Sequence, residues 1–261
     1  MRSRASALVI LLHCLFGLAA PALAQAPAET PAAKRPVIAL ALSGGGARGI
    51  AHVGVLKVLE ELRIPIDLIV ATSAGAGTGG LYAMGYRAQE IEQLFLTTDF
   101  GAGFEDQPPR AEQSFRRKQD QRAYMIQFDV GFNDGRLQLP RGLVQGQRLL
   151  LLLNELTRAL PAMDFDNLPI RYRALATDLI TGEEVALSQG HLARAMHASM
   201  AIPGVFEPVE LEGRLLVDGG IANNLPISLA RELGADVVIA VDISAPMRSD
   251  DQLESVLDVM D

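Results

Sequence analysis

The apolar run Val37-Ile38-Ala39-Leu40-Ala41-Leu42 is continuous and stops at glycines, the pattern of a short strand buried on both faces. From about Ile50 to Leu62 the spacing turns helical, and Val53, Leu56, Val58 and Leu59 are expected to face inward. Asp67-Leu68-Ile69-Val70 predicts a second strand, and the Gly-rich segment from Ser73 through Leu81, Tyr82 and Met84 a second helix. Strand-helix-strand-helix order implies a parallel sheet. Further on, Tyr124 to Val130 alternates like a half-exposed strand, and Asn133-Asp134-Gly135 marks a hairpin turn. Gln147 to Leu160 predicts a helix whose leucines 149 to 153 could face a core or a lipid, with the core the better reading. Strands follow near Tyr172 to Ala176, Val185 to Leu187 and Leu215 to Val217, and a helix from Pro226 to Leu233 leads into Val237 to Val241, read as another buried strand. The fold class this predicts is a three-layer α/β/α sandwich around a mainly parallel central sheet.

The first residues follow a different pattern. Arg2 and Arg4, the apolar run from Ala7 to Ala20, and Ala22-Leu23-Ala24 form the three parts of a secretory signal peptide, with cleavage expected after Ala24 and export to the periplasm or beyond. Residues 25–36, rich in Ala and Pro, read as a linker, and 37–261 as the folded domain. With 49% hydrophobic and 21% charged residues, disorder is a poor reading of the whole. Cys14, the one cysteine, leaves with the signal peptide, so the mature chain has neither disulfide nor thiol nucleophile. Losing Arg2 and Arg4 takes the 23 basic residues to 21 against 31 acidic ones, a balance of −10 that disfavours a nucleic-acid partner. Arg110, Arg116, Arg117, Lys118 and Arg122 are a local exception, suited to anionic headgroups at a membrane surface or equally to a solvated loop. The Gly-, Pro- and acid-rich stretch from Thr97 to Pro109 opens a middle section expected to act as a lid or cap.

Three candidate sites fall at strand ends. Ser43-Gly44-Gly45-Gly46-Ala47-Arg48-Gly49 follows the first strand, where glycines let backbone N–H groups converge on an anion near a helix N-terminus. Gly44, Gly46 and Gly49 also satisfy the G-x-G-x-x-G dinucleotide fingerprint, which makes a nucleotide-binding protein the main alternative. That fingerprint wants an acid at the end of the second strand, and here the strand ends in Ala71-Thr72-Ser73. Ala71-Thr72-Ser73-Ala74-Gly75 is close to the nucleophile elbow G-x-S-x-G, with Ala71 in place of the first glycine, whose methyl is a potential source of crowding. Ser73 as a simple helix cap is the bland reading. Val217-Asp218-Gly219-Gly220 supplies a strand-end carboxylate followed by flexible glycines.

Together, the run Gly44 to Gly49, the elbow around Ser73 and Asp218-Gly219-Gly220 resemble the three signature blocks of patatin-like phospholipases, including exported bacterial members. The stretches Ala198 to Phe206 and Asp218 through Asn223-Asn224-Leu225-Pro226 look similar too, and the resemblance spans roughly Val37 to Ile243. It implies a phospholipase A-like serine ester hydrolase acting on lipids through an acyl-enzyme, with Ser73 as nucleophile and Asp218 as general base and acid. It further implies an oxyanion hole at Gly44, Gly45 and Gly46, supporting roles for Arg48, Gly49, Gly75, Gly219 and Gly220, and no cofactor. A non-catalytic lipid-binding domain with an altered elbow is the remaining alternative.

No histidine follows Asp218, so the Ser…Asp…His chain order of α/β-hydrolases is impossible; His52 reads as a packing or helix-end residue, and His191 and His197 stay as outside candidates. Asp178 and Asp242 stand near strand ends without a His or Cys cluster, so capping and turn formation are expected of them instead of metal binding. Leu253, Val256, Leu257 and Val259 are spaced like the opening of an amphipathic helix, and some exported patatin-like proteins continue into an outer-membrane translocation module, so a longer native product is expected.

Overall fold

The computed structural model describes residues 35–105, 111, 113–116, 118–119, 131–133, 136–138 and 142–244. The signal peptide, residues 25–34 of the linker, Arg110, Arg117, Arg122, the strand expected over Tyr124 to Val130 and the apolar positions from Leu253 to Val259 lie outside them.

The chain opens as its hydrophobic pattern predicts. Strand β1 (Ile38–Leu42) gives way to a 3-10 turn, Gly46–Ile50, that runs directly into α1 (Ala51–Glu61), and β2 (Leu68–Thr72) is followed by α2 (Ala74–Ala83). On α1 the buried residues are His52, Val53, Leu56 and Leu59, one stripe at helical spacing. Val58, expected to face inward, falls off that stripe and is 49% exposed. Helix α3 (Ala88–Thr97) packs on α1, with its first turn fixed by Glu90, which accepts the N–H of Arg87. Beyond it, β3 (Gly131–Asn133) and β4 (Arg136–Gln138) pair antiparallel, as the hairpin signal implied.

The next segments are β5 (Gly142–Val144), α4 (Gln147–Leu156), β6 (Met163–Asp164), β7 (Arg171–Asp178), β8 (Glu184–Leu187), β9 (Gln189–Gly190) and α5 (Leu192–Ser199). They are followed by β10 (Gly204–Phe206), β11 (Val209–Leu211), β12 (Arg214–Asp218), α6 (Ile227–Glu232) and β13 (Val237–Val241). Helix α4 stops at Leu156 instead of Leu160, because Arg158 and Ala159 take positive φ of 54° and 47°. Its leucines divide by face: Leu149 and Leu153 are buried, whereas Leu151 is exposed.

In the main sheet β13, β1, β2 and β7 run parallel in that order, while β8 and β12 are antiparallel to β7, and β11 to β12. Alternate residues of the central strands enter different cores. Leu40, Leu42, Ile69 and Ala71 face α1, α2, α4 and α5, whereas Ala39, Ala41, Leu68 and Val70 face α6, which makes three layers. Strand β13, read from its sequence as buried, pairs only with β1 among the described residues and leaves Val237 and Ala240 exposed; an apolar run does not distinguish an edge from a centre.

Within β7, Ala174 and Leu175 pair with both β2 and β8, while Ala176 and Thr177 pair with both β12 and β8. A strand has two edges, so β2 and β12 share the edge opposite β8. They approach head-on, with Thr72 beside Leu175 and Asp218 beside Ala176.

Helix α2 lies so close to the sheet that a Cβ on Gly75 would stand 2.6 Å from the Ser43 carbonyl oxygen and 2.8 Å from that of Leu42. Gly54, exposed on α1, has nothing within 4 Å of the same position. Gly75→Ala should therefore destabilise the fold by about 1–3 kcal/mol through overpacking, whereas Gly54→Ala should stabilise it by roughly 0.5–1 kcal/mol through helix propensity. Urea denaturation of the two variants checks this, and shifts of the same sign would contradict it.

Candidate active site

Where β2 meets β12 the chain must turn away, and Ser73 makes that turn. It has φ 51° and ψ −121°, a conformation non-glycine residues rarely adopt and which costs on the order of 1–3 kcal/mol. Ser73 caps the N-terminus of α2, and its Oγ donates a 2.6 Å hydrogen bond to Oδ2 of Asp218. The other carboxylate oxygen accepts the Gly220 N–H at 2.7 Å. Asp218 is buried, and burial is the main influence on its carboxyl: it raises the pKa above the ordinary value, partly opposed by the hydrogen bonds from Ser73 and Gly220.

Residues that carry no chemistry of their own hold this pair. The Ser73 N–H donates to Ser199 Oγ at 2.9 Å, Thr177 Oγ1 donates to the Asp218 carbonyl at 2.9 Å, and the Asp218 N–H donates to the Ala201 carbonyl at 2.8 Å. Gly219 passes against β7 so closely that a Cβ would stand 2.4 Å from the Leu175 carbonyl oxygen. Gly49 plays the same part beside the elbow, where a Cβ would meet that of Ala74 at 2.8 Å.

The glycine loop of residues 44 to 46 adjoins Ser73. The Gly44 N–H is committed to Asn224, to its Oδ1 at 3.1 Å and its carbonyl at 3.3 Å, so it is not the free donor that the sequence pattern leads one to expect of an oxyanion hole. Gly44 instead allows close approach, since a Cβ there would come 3.0 Å from that of Ser73. Among the described residues, the N–H groups of Gly45 and Gly46 have no acceptor. Arg48 is exposed on the same loop and lines a cleft beside Ser73.

The histidines stand apart from the pair. Buried His52 donates from Nε2 to the Ser43 carbonyl at 2.9 Å, which fixes its tautomer and braces the base of the glycine loop, and burial lowers its pKa. His197 is pushed down to about 4, mainly by burial with Arg194 adding to it, and its ring meets Phe206 edge-on at 6.3 Å. His191 is exposed just before α5. Asp178 and Asp242 do form turns: Oδ1 of Asp178 accepts the N–H of Ile180 and Oδ1 of Asp242 that of Ser244.

Ser73 lies between two hollows. A cavity of about 440 Å³ is lined by apolar side chains, among them Leu149, Leu153, Met196, Met200 and Phe206. A larger and more polar cleft of about 860 Å³ adjoins it, bordered by Gly44 to Arg48, Asp218 and Asn224. An apolar pocket beside a more polar cleft, with a serine hydroxyl at both, suits a molecule that is apolar at one end and more polar at the other.

Sequence reasoning assigns no role to Ser199, Asn224 or Thr177. Ser199 and Asn224 stand in stretches that carry the family resemblance, which is the available signal, but their hydrogen bonds reach 126 and 180 residues along the chain.

The family model for patatin-like phospholipase matches residues 40–231. An uncharacterised NTE family protein of Mycobacterium tuberculosis is 34% identical over 209 residues, which cover 80% of this chain and 49% of the relative. A lysophospholipase of Emericella nidulans is 30% identical over 210 residues, covering 80% of this chain and 12% of that protein. The chain thus spans about half the length of its mycobacterial relative and much less of the fungal one. Among solved structures, VipD from Legionella pneumophila has a TM-score of 0.46 at 20% identity, over 74% of this chain and 47% of that one.

Ala71, the departure from the elbow pattern, is fully buried within β2, between Leu42 of β1 and Ala174 of β7. Its methyl lies opposite Gly79 of α2, where even a Cβ would stand 3.4 Å from it, an ordinary contact. On this side the methyl meets no close contact. Ala71→Gly should leave turnover unimproved and cost roughly 1–2 kcal/mol, from a lost buried methyl and added chain entropy. Ester hydrolysis assays with thermal melts check it, and faster turnover at unchanged stability would contradict it.

Proposed function

This chain belongs to the patatin-like phospholipase family, and on that premise we propose that it hydrolyses carboxylic esters of lipids, in the manner of a phospholipase A, with Ser73 and Asp218 as a catalytic dyad. The observation that carries this reading is the 2.6 Å hydrogen bond from Ser73 Oγ to a buried carboxylate at the mouth of an apolar cavity.

Ser73 Oγ attacks the ester carbonyl while Asp218 accepts its proton, and the carbonyl oxygen takes its negative charge onto the N–H groups of Gly45 and Gly46. The N-terminus of α2 adds favourable potential at that point. Asp218 returns the proton to the departing alcohol, and then draws a proton from the water that releases the acyl group from Ser73. The acyl chain lies in the apolar cavity and the polar alcohol portion in the open cleft. Exposed Phe104 and Ile50, both at the cavity, suit contact with a lipid surface. Among the described residues no helix is long and apolar enough to cross a membrane. The signal-peptide pattern of residues 1–24 supports export, to the periplasm or outside the cell, and outer-membrane association if the native product is longer.

Asp218→Asn keeps the size and removes the base. Like Ser73→Ala, it should lower ester hydrolysis by roughly a thousandfold or more, and the double variant should be little worse than either. A fluorophosphonate should label Ser73 in the parent chain. His52→Gln, His191→Gln and His197→Gln should keep most of the turnover, since Gln at 52 retains an N–H donor for Ser43. Because the Asp218 carboxyl is raised and must be ionised to act, kcat/KM should fall as pH drops, with a midpoint above the ordinary ~3.9 of an aspartate. The linkage sign is opposite for stability: a raised folded-state pKa gives stability at low pH that is lost as pH rises through it, so folded Asp218→Asn should gain over the parent with rising pH. A folded histidine variant as inactive as Ser73→Ala would contradict the dyad.

A further inference from the structure

On α2, Ser73, Gly77 and Leu81 are spaced four residues apart, and all line the apolar cavity. At 1.5 Å per residue, Gly77 lies roughly 6 Å and Leu81 roughly 12 Å along the helix from the nucleophile. Leu149, Leu153 and Leu156 of α4, with Met196 and Met200 at the same helical spacing, supply further walls. The cavity is therefore a tube walled by helix stripes and running at least two turns along α2.

The four glycines of α2 are not alike. A Cβ would meet the Ser43 carbonyl oxygen at 2.6 Å from Gly75, Ile69 Cγ2 at 2.9 Å from Gly79 and Met196 Sδ at 3.0 Å from Gly80, so packing demands glycine at 75 and crowds a side chain at 79 and 80. At Gly77 the nearest atom is Met200 Sδ at 3.7 Å, an ordinary contact, and φ there is not positive. Neither packing nor backbone conformation requires glycine at 77, although glycine inside a helix is less stable than alanine. What its missing side chain does is leave the tube open one turn below Ser73.

We propose that Gly77 is the specificity-determining residue that admits a long acyl chain past the nucleophile, with Leu81 lining the deeper part of the tube. This rests on the hydrolase reading and deepens it. The cavity, of about 440 Å³ and lined almost wholly by apolar side chains, has room for a long acyl chain. The substrate class is therefore an ester with a long acyl chain, which lies along this apolar lining with its polar remainder in the open cleft.

The test compares p-nitrophenyl palmitate with p-nitrophenyl butyrate on the parent chain, Gly77→Ala and Gly77→Leu. The parent should prefer palmitate. Gly77→Leu should lower the palmitate-to-butyrate ratio of kcat/KM at least tenfold, and Gly77→Ala, which the packing accommodates, should lower it a few-fold with no loss of thermal stability. An unchanged ratio in both variants overturns the proposal, as does an equal loss on both esters. Palmitate binding by calorimetry in a Ser73→Ala background reads the tube without turnover: Gly77→Leu, or Gly77→Ala if the leucine variant does not fold, should weaken it, and unchanged affinity again overturns the proposal. A parent that hydrolyses neither ester while palmitate binding depends on residue 77 defeats the hydrolase reading and leaves the tube standing.

Discussion

β2 and β12 occupy the same edge of β7 from opposite directions, and the site depends on that conflict. One more residue of β2 would stand opposite Ala176, the position that Asp218 already takes. The chain turns aside at Ser73, and the turn brings its hydroxyl to 2.6 Å from the Asp218 carboxylate. The sheet register thereby sets the distance between the two groups, and a rigid element positions them more closely than a loop would.

The strained backbone at Ser73 persists because its surroundings hold it there. Ser199 takes its N–H, Gly49 and Gly75 let the turn and α2 press against the glycine loop and β1, and Asn224 holds the Gly44 N–H. These contacts leave Gly45 and Gly46 with N–H groups that have no acceptor among the described residues, and leave Asp218 ionisable in a buried position that raises its carboxyl. Both features are unfavourable for the resting fold. Both have a use in the proposed reaction, where an unoccupied donor and a carboxylate with raised proton affinity are what acyl transfer from an ester needs.

Much of this arrangement is legible in the amino-acid sequence. β1, the glycine loop, the elbow and the strand-end Asp218 are local signals, each a run of apolar residues ended by glycine or serine, and residues 37 to 84 fold close to their pattern. The head-on arrangement is not legible, because the direction and edge that β12 takes depend on pairing with β7 some forty residues earlier in the chain. Helices α3 and α5 are absent from the sequence reading although apolar residues recur at helical spacing in both, at Ile91, Leu94 and Phe95 of α3 and at Leu192 and Met196 of α5. Val58 and β13 are less buried than their apolar character suggests, since an apolar residue records a preference and not what the fold brings against it. The commitment of the Gly44 N–H to Asn224 lies 180 residues away in sequence and leaves no local mark.

The mechanism stands or falls on whether Ser73 itself receives the acyl group. Rapid acid quenching of the enzyme during turnover of a long-chain ester, followed by mass spectrometry of the peptide that contains Ser73, reads that step. A transient mass increase equal to one acyl chain is expected, located on Ser73 and absent from the Ser73→Ala variant. Turnover at the normal rate with no acyl adduct, or with the adduct on another residue, would contradict the mechanism.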